Sequence, residues 1–141
     1  MASKNALIDH LRQVPLFANC STKELQRIAK VATERHIPAG QAIVDQGQAG
    51  TEAYVLMEGT ATVRRNGKKV ATLEPGAVIG ELSLLDRGPR TATVITDAGA
   101  TVLVVGQRDF QPILAEIPAI AEKVLASLAG RIRELDRKAF G

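Results

Sequence analysis

The stretch from residue 34 to residue 106 breaks into eight short β-favouring runs separated by Gly, Pro or Asn. That punctuation points to an antiparallel sandwich or barrel, the architecture built from many short strands at even spacing. The runs are 34–37, 42–45, 52–57, 60–65, 68–73, 77–79, 91–96 and 100–106. Asn66-Gly67 lies between the fourth and fifth, and this dipeptide is the strongest short-range hairpin signal, so those two runs are neighbours in one sheet. On either side the apolar period becomes helical. Residues 4–13 carry Leu7, Ile8 and Leu11 on one face, and Pro15 is expected to end that helix. Ser21 and Glu24 have the spacing of a capping box, opening a second helix through Lys30 or so with Leu25, Ile28 and Val31 on one side. Gln107 to Ala115 reads as a third helix, and Pro118 suits the first position of a fourth that ends near Lys138. The expected fold is α+β: one domain over 1–141, with N-terminal helices 4–32, an eight-stranded jelly-roll barrel over 34–106 holding one helical turn between its sixth and seventh strands, and C-terminal helices 107–138.

Composition narrows the function classes. No run approaches the ~18 apolar residues of a membrane span, and Met1-Ala2-Ser3-Lys4-Asn5 is not followed by a signal-peptide core, so a cytoplasmic protein is expected. Cys20 is the single cysteine, which excludes an internal disulfide and a cysteine-based metal site. His10 and His36 do not form a ligand pattern, which leaves a histidine-clustered metal barrel unsupported. No Ser-His-Asp arrangement is in view either, and no enzyme chemistry is expected. Net charge is +3, but the basic residues are dispersed, and the densest group, Arg64-Arg65-Asn66-Gly67-Lys68-Lys69, flanks a hairpin turn where charges are ordinarily solvated. One tyrosine, three phenylalanines and no tryptophan make no stacking platform for single strands, so neither a nucleic-acid nor a membrane partner is expected.

The chemistry concentrates in Ile79-Gly80-Glu81-Leu82-Ser83-Leu84-Leu85, followed by Asp86-Arg87-Gly88-Pro89 and then Arg90-Thr91-Ala92-Thr93-Val94. Gly80 lets the backbone approach a ligand, and the turn after it exposes N–H groups that suit an anion. Arg90 adds a planar fork of donors for phosphate oxygens, while Glu81, an acceptor, suits a sugar hydroxyl. One carboxylate and one guanidinium around a tight turn make a site for a small phosphate ester. Taken singly, Gly-Glu-Leu is an ordinary turn and Arg90 an ordinary surface arginine; the order and the flanking pattern make them specific.

This segment resembles the phosphate-binding cassette of the cyclic nucleotide-binding domain family, which serves catabolite activators, kinase regulatory subunits and cyclic nucleotide-gated channels. Val14-Pro15-Leu16-Phe17, Ile37-Pro38-Ala39-Gly40-Gln41-Ala42-Ile43, Gln46-Gly47 and Tyr54-Val55-Leu56-Met57-Glu58-Gly59 extend the similarity from about Leu7 to Leu135. The resemblance implies that Glu81 takes the ribose 2′-hydroxyl and Arg90 the cyclic phosphate. It also implies that the amides of Gly80, Leu82, Ser83 and Thr91 complete the anion cradle. Val63, Val70 and Leu73 are the candidates for the wall against the base. Leu128 offers apolar cover from the last helix, and Arg131 matches a base-contacting arginine of some channel domains. The ligand implied is cyclic AMP, with cyclic GMP as the alternative, and no cofactor is implied. Thr91 bears on that choice, because a threonine after the phosphate arginine often accompanies cyclic GMP recognition in this family.

In the last helix Ala121, Leu125, Leu128, Ile132 and Leu135 alternate four- and three-residue steps, the a/d seam of a coiled coil. The seam lasts about two heptads, short of the roughly three or four that secure a coiled coil. A helix packed on its own barrel and a homodimer through that helix therefore stand level. Nothing after Phe140-Gly141 supplies an output, so a self-contained signalling protein acting on a downstream partner, the sensor of a larger regulator or channel, and a ligand-free jelly roll are the three expectations.

Overall fold

The structure is a computed structural model that describes residues 4–140; residues 1–3 and 141, at the two ends of the expected domain, lie outside the described residues. Helix α1 spans Lys4–Arg12 and buries Ile8 and Leu11. It ends three residues before Pro15, where the N–H groups of Gln13 and Val14 bond back to His10 and Leu11. Val14 is extended, as steric conflict with a following proline requires, and Pro15 opens a 3-10 turn over Pro15–Phe17 instead of closing the helix. Helix α2, Thr22–Ala29, begins with the expected capping box: Glu24 N–H donates to Ser21 Oγ at 3.2 Å and Ser21 N–H to Glu24 Oε1 at 2.8 Å.

All eight expected strands form: β1 Thr33–Ile37, β2 Ala42–Val44, β3 Glu52–Glu58, β4 Ala61–Arg65, β5 Lys68–Leu73, β6 Val78–Ile79, β7 Thr93–Thr96 and β8 Ala100–Gly106. They make two antiparallel four-stranded sheets, ordered β1-β8-β3-β6 and β2-β7-β4-β5, a jelly roll whose two sheets do not close into one continuous barrel. Asn66 and Gly67 both take positive φ, as a two-residue hairpin turn needs, and Arg65 faces Lys68 across the β4–β5 ladder. A 3-10 turn, Glu81–Leu84, lies between β6 and β7. Helices α3, Gln107–Glu116, and α4, Pro118–Phe140, complete the chain. No helix among the described residues is long and apolar enough to cross a membrane.

Alternation along two central strands divides the interior into two cores. Tyr54 and Leu56 of β3, with Val102 and Val104 of β8, face the space between the sheets, beside Val44, Ile79 and Val94. Their neighbours Ala53, Val55, Leu103 and Val105 face the helices and pack with Leu11, Phe17, Leu25, Ile28, Phe110, Ile113, Ile120 and Val124. The rings of Phe17 and Phe110 meet at 5.4 Å between centroids. Cys20 is buried in the helical core, and that burial pushes its thiol pKa up.

Helix α4 docks through Ile120, Val124 and Leu128, spaced at four-residue steps, and through Lys123 paired with Glu24. Of the a/d seam, Leu128 joins this stripe, whereas Leu125, Ile132 and Leu135 stay 64%, 65% and 67% exposed.

Candidate functional site

The segment from Gly80 to Ala92 is the crossover from one sheet to the other, leaving β6 at an edge and returning as β7 inside the second sheet. Gly80 is left-handed, with φ 68° and ψ 31°. Its hydrogen in place of a Cβ is also required by space, since a side-chain carbon there would collide with the Arg90 guanidinium. Glu81–Leu84 then makes one tight turn, closed by Ser83 N–H donating to Gly80 O at 3.0 Å and Leu85 N–H to Leu82 O at 3.0 Å. The amide of Ser83 is thereby used inside the turn, which corrects the expectation that it faces an anion; its buried hydroxyl faces Arg90 instead.

Arg90 is held along both backbone and side chain. Its N–H donates to Gln48 O and its carbonyl accepts from Gly47 N–H, each at 2.8 Å, so the Gln46–Gly50 loop brackets it. Nη1 donates to Ser83 Oγ at 2.8 Å, Nη2 donates to the Glu52 carbonyl at 2.8 Å, and the guanidinium carbon lies 5.9 Å from the Tyr54 ring centroid. Tyr54 donates its hydroxyl proton to Glu52 Oε1 at 2.9 Å. Burial first, and then that hydrogen bond, raises the Tyr54 pKa. Gly50 is packed so tightly against Ser83 and Arg90 that any side chain there would displace one of them.

Arg90 and Ser83 face a cavity of about 460 Å³, within the usual range of small-ligand sites. Gly80, Glu81, Leu82, Ser83, Arg90, Thr91, Val63, Leu73 and Arg131 all reach it. Val70 and Leu128 do not. Val70 is 53% exposed on β5, at the position left without a partner where the β4–β5 register shifts between Ala71, opposite Val63, and Lys69, opposite Arg64. Leu128 continues the Ile120–Val124 stripe into the helical core instead of covering the cavity. Arg131, at the cavity's edge, donates its Nη1 proton to Glu81 Oε1 at 2.7 Å.

Several lining groups were not anticipated from sequence. Val44, Val78, Ile79 and Val94 supply apolar wall from three strands, β2, β6 and β7, each arriving by sheet pairing that no local pattern announces. Arg65, expected to be a solvated hairpin charge, lines the cavity and donates Nε–H to the Thr91 carbonyl at 3.1 Å. Its signal was available, because it stands two residues beyond Val63 and shares that strand face.

Residues 34–116 match the family model described as cyclic nucleotide-binding domain. The chain belongs to the cyclic nucleotide-binding domain family. Among curated relatives it is 36% identical over 123 residues to a cAMP-dependent protein kinase regulatory subunit of Mycosarcoma maydis, covering 80% of this chain and 23% of that protein. It is 30% identical over 127 residues to the Cyclic AMP receptor protein of Thermus thermophilus, covering 86% of this chain and 59% of that one. The chain thus spans less than two thirds of either relative's length. A solved structure, the N-terminal domain of a transcriptional regulator from Streptomyces coelicolor A3(2), superposes with a TM-score of 0.84 at 33% identity, covering 92% of this chain and 96% of that one. Within the cyclic nucleotide-binding domain fold, the Gly80–Ala92 crossover occupies the segment whose sequence resembles the family's cassette.

Proposed function

We propose that this domain is a cytoplasmic sensor of 3′,5′-cyclic purine nucleotides, with cyclic AMP preferred and cyclic GMP accepted. One observation carries the reading: a pre-oriented Arg90 guanidinium and the nearly buried Glu81 carboxylate flank one tight turn on the wall of the same cavity. A cyclic nucleotide offers the matching pair, an anionic phosphate for Arg90 and a neighbouring 2′-hydroxyl for Glu81. The amides of Gly80, Leu82 and Thr91 supplement the arginine, and the base rests on Val63, Leu73 and the further apolar wall. The names of the two curated relatives, both carrying cyclic AMP, support adenine as the preferred base. The exposed seam of α4 supports a second copy of the chain as a partner, and the shared apolar spacing of Leu125, Ile132 and Leu135 favours pairing of like helices.

Thr91 sets the margin between the bases. It lines the cavity next to Arg90, and its hydroxyl is a donor and acceptor that a guanine amino group can use. One neutral hydrogen bond contributes about 0.5–1.5 kcal/mol net, enough to bring cyclic GMP near cyclic AMP without reversing the order. Calorimetric titration should give tighter binding of cyclic AMP, with cyclic GMP weaker by no more than roughly a hundredfold on that arithmetic. Thr91→Ala should weaken cyclic GMP selectively. A wild-type preference for cyclic GMP, or equal effects of the substitution on both, would refute the corresponding part.

A further inference from the structure

Helix α4 leaves the body of the domain after Leu128. Every residue from Ala129 to Ala139 is exposed, and Arg131 is where this half of the helix returns to the cavity. The carboxylate it meets is in a different environment. The Glu81 side chain is only 11% exposed, and while Oε1 accepts from Arg131, Oε2 is buried with no hydrogen-bond partner among the described residues.

An orphaned buried acceptor is rare in folded proteins and calls for an explanation. The terminal torsion of a glutamate is broad and roughly two-fold, so an untethered carboxylate samples many rotations. A guanidinium on one oxygen restricts that rotation and fixes where the other oxygen's lone pairs lie. The group that Oε2 lacks is a hydroxyl donor.

We propose that Arg131 is a positioning residue for ribose recognition: by holding Oε1 it orients Oε2 to accept the sugar 2′-hydroxyl, so that reading the hydroxyl and docking the outer half of α4 become one event. This rests on the cyclic nucleotide reading above, and it replaces the base contact expected of Arg131 with an action through Glu81. It implies that Arg131 is blind to the base and sensitive to the sugar. By reciprocity, a ligand that bears the hydroxyl secures residues 129–139 more firmly than one that lacks it.

The test is titration of cyclic AMP and 2′-deoxy cyclic AMP into the wild-type chain, Arg131→Ala and Arg131→Lys. Arg131→Ala should weaken cyclic AMP about tenfold, the scale of one charge-assisted hydrogen bond, and leave 2′-deoxy cyclic AMP nearly unchanged, so the preference for the hydroxyl collapses. Arg131→Lys should restore part of it. Amide hydrogen exchange in residues 129–139 should slow more with cyclic AMP than with the deoxy analogue. Equal losses for both ligands would overturn the inference, showing a contact elsewhere on the nucleotide. Tighter cyclic AMP binding in Arg131→Ala would also overturn it, showing that Arg131 competes for Glu81. If the wild-type chain binds neither ligand, the reading of the site fails and this inference fails with it.

Discussion

Arg90 and Arg87 stand three positions apart in the same crossover and have different occupations. Arg90 is fixed before any ligand arrives, by Ser83 Oγ, the Glu52 carbonyl and the face of Tyr54. Such pre-ordering removes much of the entropy cost of binding. Arg87 instead donates Nε–H at 3.1 Å to the side chain of buried Gln107, tying the variable loop to the start of α3. Arg90→Ala should therefore cost about 2–5 kcal/mol of cyclic nucleotide affinity, as deletion of one partner of a desolvated charge pair does. Arg87→Ala should lower the thermal midpoint and leave affinity close to wild type. Calorimetry and melting of the two variants decide the matter: equal affinity losses, or none in Arg90→Ala, would contradict the assignment. The arginine itself was legible in the sequence because it stands in a contiguous pattern with Gly80 and Glu81. Its supports were not, since Glu52 lies 38 residues away and reaches it only through the fold.

At the scale of elements, legibility followed how local the determining physics is. The hairpin at Asn66-Gly67, the Ser21 capping box and the extent of β5 each depend on a few adjacent residues, and each formed as expected. Arg65 was missed as a lining residue because strand parity was not carried through, Val70 was misplaced because the register shift at it was not visible, and Leu128 because it stands on both the seam and the docking stripe and packs with the helical core. The capping box also has a pH consequence. Glu24 accepts first from Lys123 of α4 and second from the Ser21 N–H, and these bonds hold its carboxyl below the ordinary value of 4.5. A folded-state pKa below the unfolded one gives stability that is fully present above the unfolded value and is lost as pH falls through the folded value. The difference in thermal midpoint between the wild-type chain and Glu24→Gln should thus be constant near neutrality and shrink on the acid side of 4.5. A difference that persists unchanged into strong acid would assign the effect of the substitution to packing.

For the molecule as a whole, α4 has two apolar stripes and uses one of them internally. Ile120 and Val124 are buried in the helical core, while Leu125, Ile132 and Leu135 face outward at the spacing of a helical seam. If a second copy covers that stripe, sedimentation should show a dimer that dissociates on dilution. Leu125→Glu combined with Ile132→Glu should then give a monomer with an unchanged thermal midpoint at low concentration. A wild-type chain that stays monomeric at high concentration would remove the second copy as partner. The strands β3 and β8 meet apolar side chains on both faces, toward the helices and toward the second sheet. A strand wetted on one side tolerates polar substitution at every other position, as the exposed run of β5 should. Tyr54 through Leu56 and Val102 through Val105 have no such permissive positions, so variation among viable sequences should be suppressed along them without any two-residue rhythm, and drift should collect on β5 and the outer half of α4.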